Sequence, residues 1–211
     1  MDYKRHILIE NIVSEEAQNT IFFQLTNTPG WQYCETTYGN HMDNVPSQIE
    51  NKEVFDIGHM GCMFFDGTNW GIQPTQNIKD LLIEICENIK KIDQTVEKVC
   101  ITRWKANFLW KYVGVERRTN YPHVDTPSEN SLSAVYYAND SDGDTVLFYP
   151  EETVRISPKK GSVLLFPSNI SHASSNPEKT PIRVVINTVI ELFKSSNTEI
   201  NKENLNGSNT R

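Results

Sequence analysis

Positive charge is scarce in this chain: 20 Lys and Arg stand against 27 Asp and Glu, for a formal net charge of −7 and a pI near 5.3. A protein that coats nucleic acid or an anionic membrane needs a concentrated positive field, so this balance argues against both tasks. Long apolar runs are missing as well. None approaches the ~20 residues that span a bilayer, and the opening MDYKRHILIENIV lacks the apolar stretch and small residues of an export signal. Cysteine is sparse too: Cys34, Cys62, Cys86 and Cys100 form no C-x-x-C pair. That pattern suits buried, reduced thiols in a cytoplasmic protein better than a disulfide framework or a zinc knuckle. No internal repeat is present.

A length of 211 residues with 37% hydrophobic content suffices for one substantial core and is short for two. The expected organisation is a single domain over 1–193, with a helix-bearing support region at 1–98 and a β-rich core at 99–193. Ser14 followed by Glu15 and Glu16 is an N-cap with acidic residues in the first turn. Ala17, Ile21, Phe22 and Leu25 follow at helical spacing until Pro29-Gly30 stops the pattern. Between Asn77 and Ile92, Ile78, Leu81, Leu82, Ile85, Ile89 and Ile92 make one apolar stripe, as expected of a helix lying on a sheet. Residues 30–73, rich in Gly, Asn and aromatics, read as loops and short strands, with Gly58-His59-Met60-Gly61 as a mobile loop.

From about Val99 the period changes to two. The segments ITRW, FLWKYV, SLSAVYYA, TVLFYP, SVLLFP and IRVVINTVIEL alternate with turn signals. Many short strands suggest an antiparallel sandwich or barrel, of which the eight-stranded jelly roll is one solution. The string Asp140-Ser141-Asp142-Gly143-Asp144 fails the EF-hand register, because the position that should carry a bidentate Glu is Tyr149; a hairpin turn is expected instead. The four tryptophans are assigned to the core by default. Residues 194–211 have almost nothing to bury and read as a disordered tail.

In Tyr121-Pro122-His123-Val124-Asp125 the histidine and aspartate are two apart, so on an extended strand both project from one face, about 6.6 Å apart. An imidazole and a carboxylate suit a first-row divalent metal, and a third ligand would complete a facial triad with open positions. His172, beyond the apolar strand ending at Phe166, is the candidate, although alone it reads equally as a surface-loop histidine. Arg183 opens a strand that is apolar on both faces. A buried guanidinium needs an anion, and the run holds no Asp or Glu, so a bound dicarboxylate is one partner that could meet it bidentately.

Taken in order, HVDTPSENSLSAVYYAND, DGDTVLFYPE and PKKGSVLLFPSNISHASSNPEKTPIRVVINTVI resemble the catalytic half of the prolyl 4-hydroxylase-like branch of the 2-oxoglutarate and iron(II)-dependent oxygenases. The likeness covers roughly residues 99–192. It implies a mainly β fold with flanking helices around a double-stranded β-helix, the jelly-roll or cupin-like core. It implies Fe(II) on His123, Asp125 and His172, 2-oxoglutarate and O2 as cosubstrates with ascorbate as an optional addition, and Arg183 on the distal carboxylate. Tyr136 would place a hydroxyl on that same carboxylate, and Arg103 and Asn107 would contact substrate or cosubstrate. The net reaction would be C–H hydroxylation, with succinate and CO2 as coproducts.

Two departures stand out: Arg183 replaces the lysine of some prolyl 4-hydroxylases, and Asp142-Gly143 replaces a Gly pair. The resemblance makes a peptidyl proline the best guess for substrate, with a small metabolite next and nucleic acid disfavoured by the acidic balance. It leaves the oligomeric state open. Two rivals share the fold: a cupin-type metalloenzyme without 2-oxoglutarate, under which Arg183 would be dispensable, and an inert jelly-roll binding protein.

Overall fold

The computed structural model describes residues 5–27, 30–35, 58–112 and 119–195. Ten strands and two helices are found among them: β1 (Ile7–Ile9), α1 (Glu15–Asn27), β2 (Gln32–Cys34), β3 (His59–Phe65), α2 (Gln76–Ile92), β4 (Val96–Trp110), β5 (Ser131–Tyr137), β6 (Thr145–Phe148), β7 (Thr153–Ile156), β8 (Val163–Pro167), β9 (Ser171–Ser174) and β10 (Ile182–Lys194).

Both helices form where the periodicity placed them. The Ser14 hydroxyl accepts the Ala17 amide at 3.3 Å and so caps α1. In α2, Ile78, Leu81, Ile85 and Ile89 are buried, and Lys90 and Lys91 in the last turn complement the negative end of the helix dipole. The Thr75 hydroxyl reaches Gln24 Oε1 at 2.5 Å and ties the start of α2 to α1.

The strands make a large sheet in the order β1-β8-β5-β10-β4-β3-β2 and a small one in the order β7-β6-β9, with antiparallel pairing throughout. One face of the large sheet packs Trp104, Ala106, Ala134, Tyr136, Val184 and Ile186 against the helices. Its other face sets Val135, Tyr137, Leu164, Phe166 and Val185 against Leu147 and Tyr149 near the small sheet. These two facing sheets are the double-stranded β-helix, with the helices as an outer layer. No helix among the described residues is long and apolar enough to cross a membrane.

Several expectations change. ITRW and FLWKYV are not two strands: β4 runs unbroken from Val96 to Trp110, because Lys105-Ala106-Asn107 holds neither Gly nor Pro and β10 pairs along its whole length. The Gly58–Gly61 loop is instead the start of β3, where His59 is buried and Gly61 faces Asn107. Asp140–Asp144 is no hairpin, since β5 and β6 lie in different sheets. Here Asp142 accepts the amides of Glu178, Lys179 and Thr180, and the crossing is tied to the loop before β10. Of the tryptophans, Trp104 is core, whereas Trp70 and Trp110 are exposed. Cys62 is buried, but Cys100 is exposed and Cys34 and Cys86 are half-buried; all four are free thiols. Lys194 still belongs to β10, and the expected tail from 196 onward lies outside the described residues, as does His41.

Candidate metal centre

His123 lies on a short extended segment rather than in a long strand, and it is held by a bridge to β9. Its amide donates to the His172 carbonyl at 2.9 Å, and the His172 amide returns the bond at 2.8 Å. The bridge sets the two imidazoles side by side, with ring centroids 4.4 Å apart. Asp125, two residues on, is anchored by its amide on the Ser168 carbonyl at 3.0 Å. His123 Nε2 is 3.8 Å from Asp125 Oδ1, and His172 Nε2 is 3.6 Å from Asp125 Oδ2. One ligand atom from each residue falls within 4.8 Å of the other two, so a single ion could reach all three.

The protonation states suit a metal. The His172 Nδ1 lies 3.0 Å from the Ile170 carbonyl, a contact that fixes the ring with Nε2 turned toward Asp125. Burial, and then the neighbouring His172, push His123 down to about 3, so it is neutral near pH 7. Burial opposes ionisation of Asp125, but His172 and the Arg103 guanidinium outweigh it and hold the carboxyl well below its usual range. Two imidazoles and one carboxylate are the donor set of a non-haem iron(II) site with open positions. Asp125 is also gripped from both sides, by Arg103 Nη2 on Oδ1 and by the Ser133 hydroxyl on Oδ2.

Arg183 lies farther along the same cavity. It is 3% exposed, and its Nη2 donates to Thr145 Oγ1 at 2.8 Å. Its Nε has no partner, and no carboxylate among the described residues forms an ion pair with it. Thr145 is opposite Ser174 and Leu147 is opposite His172, so the guanidinium sits about 7 Å along β6 from the level of the metal ligands. A five-carbon diacid, with an end-to-end length of about 6 Å, would bridge that interval. The orphaned guanidinium and the donor set therefore fit 2-oxoglutarate and Fe(II).

Of the residues expected at the site, His123, Asp125, His172, Arg183, Arg103 and Asn107 all line this cavity. Tyr136 does not. It lies in the core between sheet and helices, with its hydroxyl unpartnered, because alternation along β5 sends residue 136 to the face away from the site. Its neighbour Tyr137 points inward and donates to Thr145 Oγ1 at 2.9 Å, the atom that also receives Arg183. Parity with Ser133 and Val135 on β5 was the signal that could have chosen Tyr137. Lys105 and His59 are further wall residues that sequence reasoning missed. Lys105 shares the parity of Arg103 and Asn107 on β4, whereas His59 had no such signal, because β3 had been assigned to a loop.

Residues 109–191 match the family model described as the 2OG-Fe(II) oxygenase superfamily. No curated protein matches the sequence. Among solved structures, a 2OG-Fe(II) oxygenase family oxidoreductase from Burkholderia pseudomallei superposes with a TM-score of 0.65 at 11% identity, covering 91% of this chain and 87% of its own. The viral collagen prolyl hydroxylase of Paramecium bursaria Chlorella virus-1, solved with 2OG, gives 0.55 at 12% identity, covering 91% and 98%. The alpha-ketoglutarate-dependent epimerase SnoN of nogalamycin biosynthesis gives 0.61 at 8% identity, covering 90% and 77%. The matched segment 109–191 carries all three metal-ligand candidates and Arg183, and it is this segment that is similar to the 2OG-Fe(II) oxygenase superfamily, whose cofactors are Fe(II), 2-oxoglutarate and O2.

Proposed function

We propose that the chain is an Fe(II)- and 2-oxoglutarate-dependent dioxygenase that hydroxylates a C–H bond, and that a prolyl ring is its target. The observation that carries the reading is the buried Arg183, with an unpartnered Nε and no ion pair to a carboxylate among the described residues, one diacid length from the His123, Asp125 and His172 cluster. When bound, iron with 2-oxoglutarate and O2 supplies the oxidant that removes hydrogen from carbon, with succinate and CO2 as coproducts. His123, Asp125 and His172 would hold the ion, and Arg183, steadied through Thr145 and Tyr137, would orient the diacid. Arg103 and Ser133 would keep the Asp125 carboxylate aimed at the metal. The prolyl assignment is supported by the sequence resemblance, and by the likeness of fold to a viral collagen prolyl hydroxylase only as analogy, since the epimerase shares that fold. Four free thiols support a cytoplasmic setting. Both helices packing on one sheet support a single oxygenase domain over 1–193.

The test needs no substrate. Adding 2-oxoglutarate to the anaerobic Fe(II) protein should produce the visible charge-transfer band of the chelate. Arg183→Ala should raise the 2-oxoglutarate concentration required by tenfold or more, on the order of one lost charge-assisted pair. His172→Ala should abolish the band. Iron binding without a band at saturating 2-oxoglutarate would transfer the reading to a cupin-type enzyme.

A further inference from the structure

Away from Arg183 along β4, the cavity wall is cationic. Along β4 the side chains of Arg103, Lys105, Asn107 and Leu109 face inward, and β10 sets Arg183 opposite Leu109 and Asn187 opposite Lys105. Lys105 is therefore four residues, about 13 Å of strand, from the level of Arg183, roughly twice the length of the five-carbon cosubstrate.

Its surroundings leave its charge unanswered. Met63 and Asn187 flank it on the neighbouring strands, and Arg103 and Asp125 are its close charged neighbours, with the Cys34 thiol beyond. Among the described residues Asp125 is the carboxylate whose charge bears on it, but Asp125 is already engaged by Arg103 and Ser133 and is a metal-ligand candidate. Among the described residues no ion pair or hydrogen bond involves the Lys105 ammonium. Beside it, His59 is 3% exposed, lines the same cavity and has an unpartnered Nδ1. A half-buried ammonium with no ion pair among the described residues and a buried imidazole with an unpartnered nitrogen, both on side chains that line one cavity, suit an anionic ligand.

We propose that Lys105, assisted by His59, is the subsite for a carboxylate on the substrate, so that the enzyme takes a small acid or a C-terminal residue rather than an internal residue of a peptide. This rests on the dioxygenase reading and narrows its substrate class. The ammonium holds the carboxylate, the imidazole offers it a hydrogen bond, and the attached carbon skeleton is turned toward the metal ligands.

Melting of the metal-loaded chain, with and without 2-oxoglutarate, is the test, using sodium acetate and L-proline against acetamide and L-prolinamide at matched ionic strength. A ligand bound only by the folded state raises the melting temperature in proportion to its affinity. The acids should stabilise the wild type saturably and the amides should not. Lys105→Met should weaken acid binding by about tenfold or more, the scale of one lost charge-assisted hydrogen bond, and Lys105→Arg should restore most of it. The 2-oxoglutarate concentration that half-saturates the charge-transfer band should change less than twofold in Lys105→Met. Equal effects of acids and amides on the wild type would overturn the proposal without recourse to any variant. So would acid binding indifferent to Lys105→Met, or a parallel loss of 2-oxoglutarate affinity, which would assign Lys105 to the cosubstrate. Failure of the dioxygenase reading shows separately, as absence of the band in wild type, while the melting comparison still reports on Lys105.

Discussion

Two adjacent tyrosines on β5 have opposite fates. The Tyr137 hydroxyl and the Arg183 guanidinium both donate to Thr145 Oγ1, whereas Tyr136 carries its hydroxyl into the apolar layer between sheet and helices, where nothing receives it. Tyr137→Phe removes a donor to Thr145 and should weaken 2-oxoglutarate binding by roughly fivefold, about 1 kcal/mol, in a titration of the charge-transfer band. Tyr136→Phe removes only an unsatisfied buried oxygen. It should leave that titration unchanged and raise the unfolding free energy by up to about 1 kcal/mol in a urea melt. The reverse pattern would return the site role to Tyr136.

At the scale of elements, the site depends on how the crossing between the two sheets meets the loop that leads into β10. Gly143 marks their closest approach: a Cβ there would lie 2.7 Å from the Ser175 carbonyl oxygen, 2.9 Å from the Pro177 nitrogen and 3.0 Å from Arg183 Cδ. Two of these neighbours are backbone atoms with little room to retreat. Gly143→Ala should therefore cost about 1–3 kcal/mol in denaturant melts and, by displacing Arg183, weaken 2-oxoglutarate binding as well. Stability lost with cosubstrate affinity intact would show that the crossing yields without moving the guanidinium. The long strand β4 has a different role: its even residues Trp104 and Ala106 fill the core while its odd residues line the cavity, so one strand couples the helical layer to the site.

For the molecule as a whole, buried neutral histidine makes stability depend on pH. Burial, and then the nearby Lys105 charge, lower His59 from an ordinary 6.5 to about 4. The unfolded chain thus binds a proton that the folded chain refuses between those values, and stability contributed by neutral His59 is complete above about 6.5 and falls as pH drops toward 4. The metal-free protein should lose stability over that window, and in His59→Gln the slope of unfolding free energy against pH should decrease by close to one proton; an unchanged slope would show that the imidazole protonates in the folded state. At this same scale the sequence by itself pointed to His123, Asp125 and Arg183, since H-x-D on an extended segment and a charged residue heading a doubly apolar strand are local patterns, and to His172 through the ordered family resemblance. It also determined both helices, whose caps and apolar stripes are local patterns. Only the tertiary structure decided which of Tyr136 and Tyr137 faces the cavity, that His59 lies buried on a strand and that Lys105 has no counter-ion among the described residues. Each of these depends on strand pairing and sheet facing between segments far apart in the chain, and a period-two pattern apolar on both faces does not say which face is which.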